Sequence, residues 1–187
     1  MRRAVTFLGL ALAVSVFSTG CIGRAVKEGL GAATGPKGYY AQLEPASWSK
    51  KGSALSEYTH FEMDPITDSF ANKVPRRLLN LLPEEFNKQL ARRKIPNVPS
   101  GKTLLVRGHV FHYEAEGTMG ELFGPFEEVI ARVELVDKAS GKVLAVANCI
   151  GRTNETVNRG VDAKAGGLAK AIVNWIASQY PKSEMED

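Results

Sequence analysis

The feature that most constrains the fold is a pair of alternating segments, residues 127–137 and 142–152. Apolar side chains occupy every second position in both segments, which is the period of a half-buried strand. The connection between them is Lys138-Ala139-Ser140-Gly141, and a short connection that ends in glycine is typical of a β-hairpin. The sequence therefore predicts two adjacent antiparallel strands in the second half of the chain.

The register of this hairpin follows if Asp137 lies opposite Lys142. The predicted pairs on the buried face are then Leu135–Leu144, Val133–Val146 and Val129–Ile150. The reverse face would place Glu128, Arg132 and Glu134 opposite Ala145, Ala147 and Cys149. We expect this second face, with its mixed and small side chains, to be solvated or to receive a partner.

Two further strands and a helix are predicted before the hairpin. Residues 58–64 alternate up to Pro65, and residues 102–115 form a longer alternating segment. Between them, apolar residues recur at helical spacing with Pro75 in the first turn; they are Leu79, Leu82, Phe86 and Leu90. Pro83 interrupts this stripe, so we expect a kink or a helix that restarts there.

The last predicted element is a helix from about Val161 to Tyr180, which ends before Pro181. Gly166 and Gly167 disfavour a helix, and their presence indicates close backbone packing against the sheet. The predicted fold class is α+β, a two-layer domain in which an antiparallel or mixed sheet of about four strands packs against two helices. The predicted order along the chain is β-α-β-β-β-α.

The N-terminal segment has the three regions of an export signal. Arg2 and Arg3 precede an uncharged apolar stretch over residues 4–17, and Ser18-Thr19-Gly20 leads directly to Cys21. This arrangement resembles the lipobox of bacterial lipoproteins, and the resemblance implies cleavage between Gly20 and Cys21 and a diacylglycerol thioether on Cys21, with fatty-acyl chains such as palmitate. Ser18 stands where the family usually has Leu, Val or Ile, so an ordinary secretory signal that leaves a plain thiol is the alternative.

The chain is therefore divided into a lipoprotein signal peptide (1–20), a Gly-rich tether (21–52), an α+β domain (53–181) and an acidic tail (182–187). By resemblance to the same lipoproteins, Ile22 after the cysteine implies release to the outer membrane, with the domain on the periplasmic side. We therefore expect a membrane partner through the lipid anchor on Cys21.

The charge does not point to nucleic acid. Without Arg2 and Arg3, 22 basic residues face 20 acidic ones, because the whole chain has 24 and 20. Basic residues cluster at Lys50/Lys51, Arg76/Arg77 and Arg92/Arg93/Lys94. No aromatic residues are interleaved with these clusters for bases to stack on, so no nucleic-acid partner is predicted.

No catalytic constellation is present in the sequence. There is no nucleophile elbow, phosphate-binding loop or dinucleotide fingerprint, so we predict no catalytic residues and no cofactor. His112 and Glu114 share a strand face, and His60 could join them if the first two predicted strands pair, which makes these three the candidate metal ligands. Cys149 is interpreted as a small apolar residue of the core or sheet.

The predicted order of elements behind a lipobox resembles periplasmic lipoproteins of Gram-negative bacteria whose function is unknown. The resemblance covers about Tyr58 to Tyr180 and implies a protein partner in the cell envelope, since similar two-layer domains occur in envelope-assembly and secretion lipoproteins. We expect a tethered interaction module that uses its sheet face or the Gly-rich loop at residues 116–125. The alternative is an anchored periplasmic metal-binding protein or hydrolase that uses His60, His112 and Glu114.

Overall fold

The computed structural model describes residues 36–48, 52–69, 73–114, 127–153 and 160–180. Six strands and two helices occupy these ranges. In chain order they are β1 (Lys37–Glu44), β2 (Tyr58–Met63), β3 (Thr67–Asp68), α1 (Arg76–Arg92), β4 (Lys102–Tyr113), β5 (Glu128–Asp137), β6 (Val143–Arg152) and α2 (Gly160–Ser178).

The strands form one mixed sheet in the order β1-β6-β5-β4-β2, with the short β3 also paired to β4. The pairs β1–β6, β6–β5 and β5–β4 are antiparallel, whereas β2 and β3 run parallel to β4. The predicted α+β class and the two helices are confirmed. The expected number of about four strands is wrong, because β1 and β3 bring the sheet to six. The predicted order β-α-β-β-β-α is wrong for the same reason, since the described elements follow one another as β-β-β-α-β-β-β-α.

The additional strand β1 lies within residues 21–52, the segment predicted to be a Gly-rich tether. Its Gly38 is not a flexible spacer but a point of close approach to α2. A Cβ atom at Gly38 would lie 2.4 Å from the Ala171 backbone nitrogen and 2.5 Å from the Gly167 carbonyl oxygen. Packing therefore requires glycine at this position. The many glycines around β1 indicate a linker in the sequence, which is why this strand was not predicted.

Both helices cover the same face of the sheet and contact each other. Helix α1 is continuous through Pro83, so the helix does not restart at this residue, which was one of the two predicted alternatives. It connects the parallel strands β2 and β4, as expected for a crossover between parallel neighbours. Its apolar stripe is buried with that of α2, and the largest buried side chain of the described residues is Trp175. Among the described residues, no helix has the length and apolar character needed to cross a membrane.

The register of the β5–β6 hairpin differs from the predicted one by one residue. Asp137 does face Lys142, and its N–H donates to the Lys142 carbonyl oxygen at 3.0 Å. A β-bulge between Leu135 and Val136 then shifts the ladder, so that Leu135 pairs with Ala145. Because a shift of one residue exchanges the two faces of a strand, the predicted buried face of β6 is wrong.

The shift places small residues of β6 beneath α2 and its larger apolar residues on the opposite face. Ala145, Ala147 and Cys149 are each no more than 1% exposed. A Cβ atom at Gly151 would lie 2.4 Å from the Leu168 backbone nitrogen. Helix α2 approaches β6 too closely for larger side chains, so packing of the backbone overrides the apolar alternation from which the register was predicted.

Candidate interaction surface

Within the part of the chain that the structure describes, one face of the sheet is covered by neither helix, and we call it the open face. The register places there the alternate residues of β1, β6, β5 and β4 that do not point toward the helices. Its apolar members by register are Tyr39, Leu105, Ile130, Leu144, Val146 and Ile150, and Phe111 joins them through its contact with Arg132. Its charged members include Arg107, Arg132, Glu134, Glu128 and Arg152.

The apolar residues concentrate on the β1–β6 half of the open face. Tyr39 pairs with Ile150, which in turn pairs with Ile130, so these three form one apolar row across three strands. Leu43 lies at the bulge of β1, next to Glu44, which is the residue that pairs with Val146. Tyr39 and Leu43 are 47% and 42% exposed, which is high for large apolar side chains. A concentration of this kind on a sheet face is typical of a binding surface.

The charged side chains of the open face lie mainly on its β4–β5 half and are largely paired, and Arg152 of β6 pairs with Glu128 of β5. Arg107 Nε lies 2.8 Å from Glu134 Oε2, and Arg152 Nη2 lies 2.9 Å from Glu128 Oε2. Arg132 differs from these arginines, because it donates to Asn148 Oδ1 at 3.3 Å and lies over the Phe111 ring, 5.9 Å from its centroid. Its guanidinium has no carboxylate partner among the residues described.

The candidate metal ligands are not brought together. Strand β2 does pair with β4, but His60 lies beside Thr103 at one end of β4, whereas His112 lies beside Ile130 near the other end. At 3.3 Å per residue this separates the two histidines by roughly 30 Å. His60 Nδ1 is 3.1 Å from Thr103 Oγ1, and His112 Nε2 is 3.8 Å from Glu128 Oε1. The described part of the chain contains no group of three or more His, Cys, Asp or Glu that could hold a metal ion.

Glu114 lies at the end of β4, where a buried lysine from α2 reaches the sheet. Lys164 Nζ donates to the Glu114 carbonyl oxygen at 2.6 Å and lies 2.9 Å from Glu127 Oε2. It also lies 4.5 Å from the centroid of the Tyr113 ring. Sequence reasoning missed this site, because one lysine among apolar helix residues gives no sign of its partners. The interaction connects α2 to both residues that flank positions 115–126.

The predicted binding loop at residues 116–125 lies outside the described residues, as do Gly20 and Cys21. Cys149 is within the described part and is fully buried under α2. Burial raises the pKa of the Cys149 thiol, so little of the reactive thiolate forms at neutral pH.

A polar cluster surrounds Asp137 at the turn of the hairpin. The Ser140 backbone N–H and the Tyr58 hydroxyl each donate to its carboxylate at 2.8 Å. These hydrogen bonds hold the pKa of Asp137 well below its usual range, while burial, followed by the bond to Asp137, raises the pKa of Tyr58 to about 12. Lys102 Nζ completes the cluster, 3.2 Å from Asp137 Oδ2 and 2.8 Å from Glu57 Oε1. The cluster fixes the turn against β2.

No protein-family model matches the chain, and no curated protein matches it in sequence. Similar solved structures include two crystal forms of the PelC dodecamer from Paraburkholderia phytofirmans, one of them a point variant. They are 15% and 14% identical, with TM-scores of 0.49 and 0.48, and each match covers 74% of this chain and 96% of that chain. A PDZ domain protein from Parabacteroides distasonis is 12% identical, with a TM-score of 0.38. This match covers 84% of this chain and 41% of the PDZ domain protein, so the chain spans less than half the length of that protein. These similarities are too distant to indicate a function.

Proposed function

We propose that this protein is a lipoprotein of the bacterial outer membrane, anchored through acylated Cys21, that binds a protein partner on the periplasmic side. The partner docks on the open face of the sheet and belongs to an envelope or secretion assembly. The anchor rests on the lipobox-like segment that ends at Gly20-Cys21. The binding surface rests on the described domain.

The observation that supports this proposal best is the distribution of side chains on β6. Small residues of this strand are buried under α2, while Leu144, Val146 and Ile150 are partly exposed on the open face. A soluble domain gains stability when its large apolar side chains are buried, at about 25 cal/mol per Å² of apolar area. No described element buries the apolar residues of the open face, so they gain this stability when a partner covers them.

The charged half of the open face indicates the chemistry of the partner. Arg132 lies over Phe111 near the middle of the sheet, between the apolar β1–β6 half and the paired charges of β4. Arginine and aromatic residues are enriched among those that contribute most to protein interfaces. We therefore expect a partner surface with apolar side chains at its centre and a carboxylate that accepts from Arg132.

The partner contact can be tested by site-specific photo-crosslinking in intact cells. A photoreactive residue at Ile150 lies on the open face, whereas one at Val98, which is 48% exposed, lies in the connection between α1 and β4. We expect a defined crosslinked product from position 150, identified by mass spectrometry as an envelope protein, and no such product from position 98. Arg132→Glu should remove the product, and Lys142→Glu, in the exposed turn, should retain it.

The contact proposal is contradicted if both positions give the same products, or if Arg132→Glu has no effect on the yield. The anchor is tested separately by mass spectrometry of the N-terminal peptide from membrane-extracted protein. We expect the added mass of an acylated thioether on Cys21, and we expect Cys21→Ser to move the protein out of the membrane fraction. A bare Cys21 in protein from cells contradicts the anchor.

A further inference from the structure

The sheet formed by the described strands is open. Strand β1 forms one edge, and β2 together with the short β3, which both pair with β4, forms the other. At an edge, one set of alternate residues has N–H and C=O groups that no neighbouring strand satisfies. Such an edge can pair with a strand of another molecule unless it is covered, charged or interrupted.

The β2 edge is covered by the connection between α1 and β4. The Val98 N–H donates to the Thr59 carbonyl oxygen at 2.7 Å. The Asn97 side-chain oxygen accepts from the Phe61 N–H at 2.9 Å. Segment 97–98 therefore occupies the position where an additional strand would pair with β2.

Within the described residues, contacts cover the outer side of β1 at the beginning of the strand and not beyond it. Lys170 and Asn174 of α2 donate to the carbonyl oxygens of Pro36 and Gly38, each at 3.4 Å. Beyond Gly38, no described strand or loop pairs with the outer side of β1, and its partner on the inner side is β6. The stretch around Tyr40 and Ala41 is thus an open edge.

The residues of β1 do not protect this edge either. The strand is uncharged from Gly38 to Leu43, and its one interruption is the bulge near its end. Lys37 and Glu44 lie at the two ends and have opposite charges. Tyr39 and Leu43 add two of the most exposed large apolar side chains of the described domain.

We infer that β1 pairs antiparallel with β1 of a second copy of this chain. In an antiparallel pair, Lys37 of each copy approaches Glu44 of the other, whereas a parallel pair would bring like charges together. The arrangement is a two-fold dimer with a self-complementary interface, the most common kind of homo-oligomer. It also joins the apolar halves of the two open faces into one continuous surface.

The test is sedimentation velocity of the mature chain from residue 21 with Cys21→Ser, which needs neither lipid nor a protein partner. We expect a dimer that becomes a monomer in the double variant Tyr39→Lys/Leu43→Lys, because four lysines would meet across the paired strands. Val98→Lys and Val143→Lys are matched controls, since these residues are 48% and 39% exposed at other positions. Both controls should remain dimeric, and circular dichroism should show the same fold in all variants.

A second measurement identifies the edge itself. With Cys21→Ser present, Ala41→Cys should give a covalent dimer with a short bis-maleimide crosslinker, and Val98→Cys should not. A monomeric parent chain, or a dimer that is unaffected by the double variant, overturns the inference. Neither result changes the expected photo-crosslink from Ile150 to an envelope protein, so failure of the dimer and failure of the proposed function can be told apart.

Discussion

Two adjacent glycines of α2 should respond in opposite directions to the same substitution. A Cβ atom at Gly166 would meet Pro36 Cγ at 3.4 Å and Glu85 Oε2 at 3.5 Å, which are ordinary van der Waals distances. A Cβ atom at Gly167 would lie 2.9 Å from the Lys37 carbonyl oxygen and 3.1 Å from the Gly151 Cα, both of which are backbone atoms of the sheet. Gly166→Ala is therefore accommodated, and Gly167→Ala forces α2 away from β1 and β6.

The magnitudes follow from two opposing effects. Alanine in a helix interior is more favourable than glycine by about 0.5–1 kcal/mol, because glycine loses more backbone entropy on folding. Overpacking in a close-packed interior costs about 1–3 kcal/mol. Gly166→Ala should raise the free energy of unfolding by the first amount. Gly167→Ala gains the same amount but incurs the second, so the two variants should differ by about 1–3 kcal/mol.

The assay is urea unfolding of both variants and the parent chain, followed by circular dichroism. Equal slopes against urea concentration would show that both variants expose the same surface on unfolding, so that midpoints can be compared directly. Gly151→Ala is a third member of the series, with a Cβ atom 2.4 Å from the Leu168 nitrogen, and should cost at least as much as Gly167→Ala. If Gly167→Ala proves as stable as Gly166→Ala, α2 does not approach the sheet as closely as described.

Three further predictions concern buried and titrating groups. Lys164→Met should lower the free energy of unfolding, measured by urea titration, by about 3–5 kcal/mol, because it leaves buried Glu127 without its ion-pair partner. The control Arg77→Met breaks an exposed ion pair and should lower the free energy of unfolding far less. The free energy of unfolding should fall as the pH is lowered below about 4, because the folded-state pKa of Asp137 lies below its unfolded value. The stabilisation from this carboxylate is lost as it is protonated. In Asp137→Asn, the free energy of unfolding measured against pH should therefore decrease less steeply at acid pH. With Cys21→Ser present, Cys149 should resist a thiol reagent in the native chain and react once urea unfolds it, and rapid labelling without urea would contradict its burial.

The elements with a strong local pattern were predictable from the sequence. The β5–β6 hairpin, the two helices and the strands at β2 and β4 each have a run of apolar residues at a single period, and each is present in the structure. The α+β class follows from these elements alone. A metal site at His60 and His112 required β2 to pair with β4, and these strands do pair. The register that keeps the two histidines apart depends on tertiary packing.

Two features could not be predicted, both because α2 packs very closely on the sheet. Gly38 and Gly151 make room for the helix backbone, and glycine in a sequence indicates a turn or linker more readily than a strand. The bulge at Leu135 likewise places Ala145 under the helix, against the pattern of the larger apolar residues. The open face, and with it the candidate interaction surface, follows from this packing and not from alternation in β6.

The decisive test is thiol labelling of cysteine variants of β6 that keep Cys21, which is acylated in the proposed lipoprotein, and the buried Cys149, compared in purified protein and in intact cells. We predict that Val146→Cys reacts in the purified chain and is protected in the envelope, where the partner covers the open face, whereas Ala147→Cys is unreactive in both because it faces α2. Reaction at position 147 rather than 146 in the purified chain would contradict the register. Equal labelling of position 146 in purified protein and in cells would contradict the proposed binding surface.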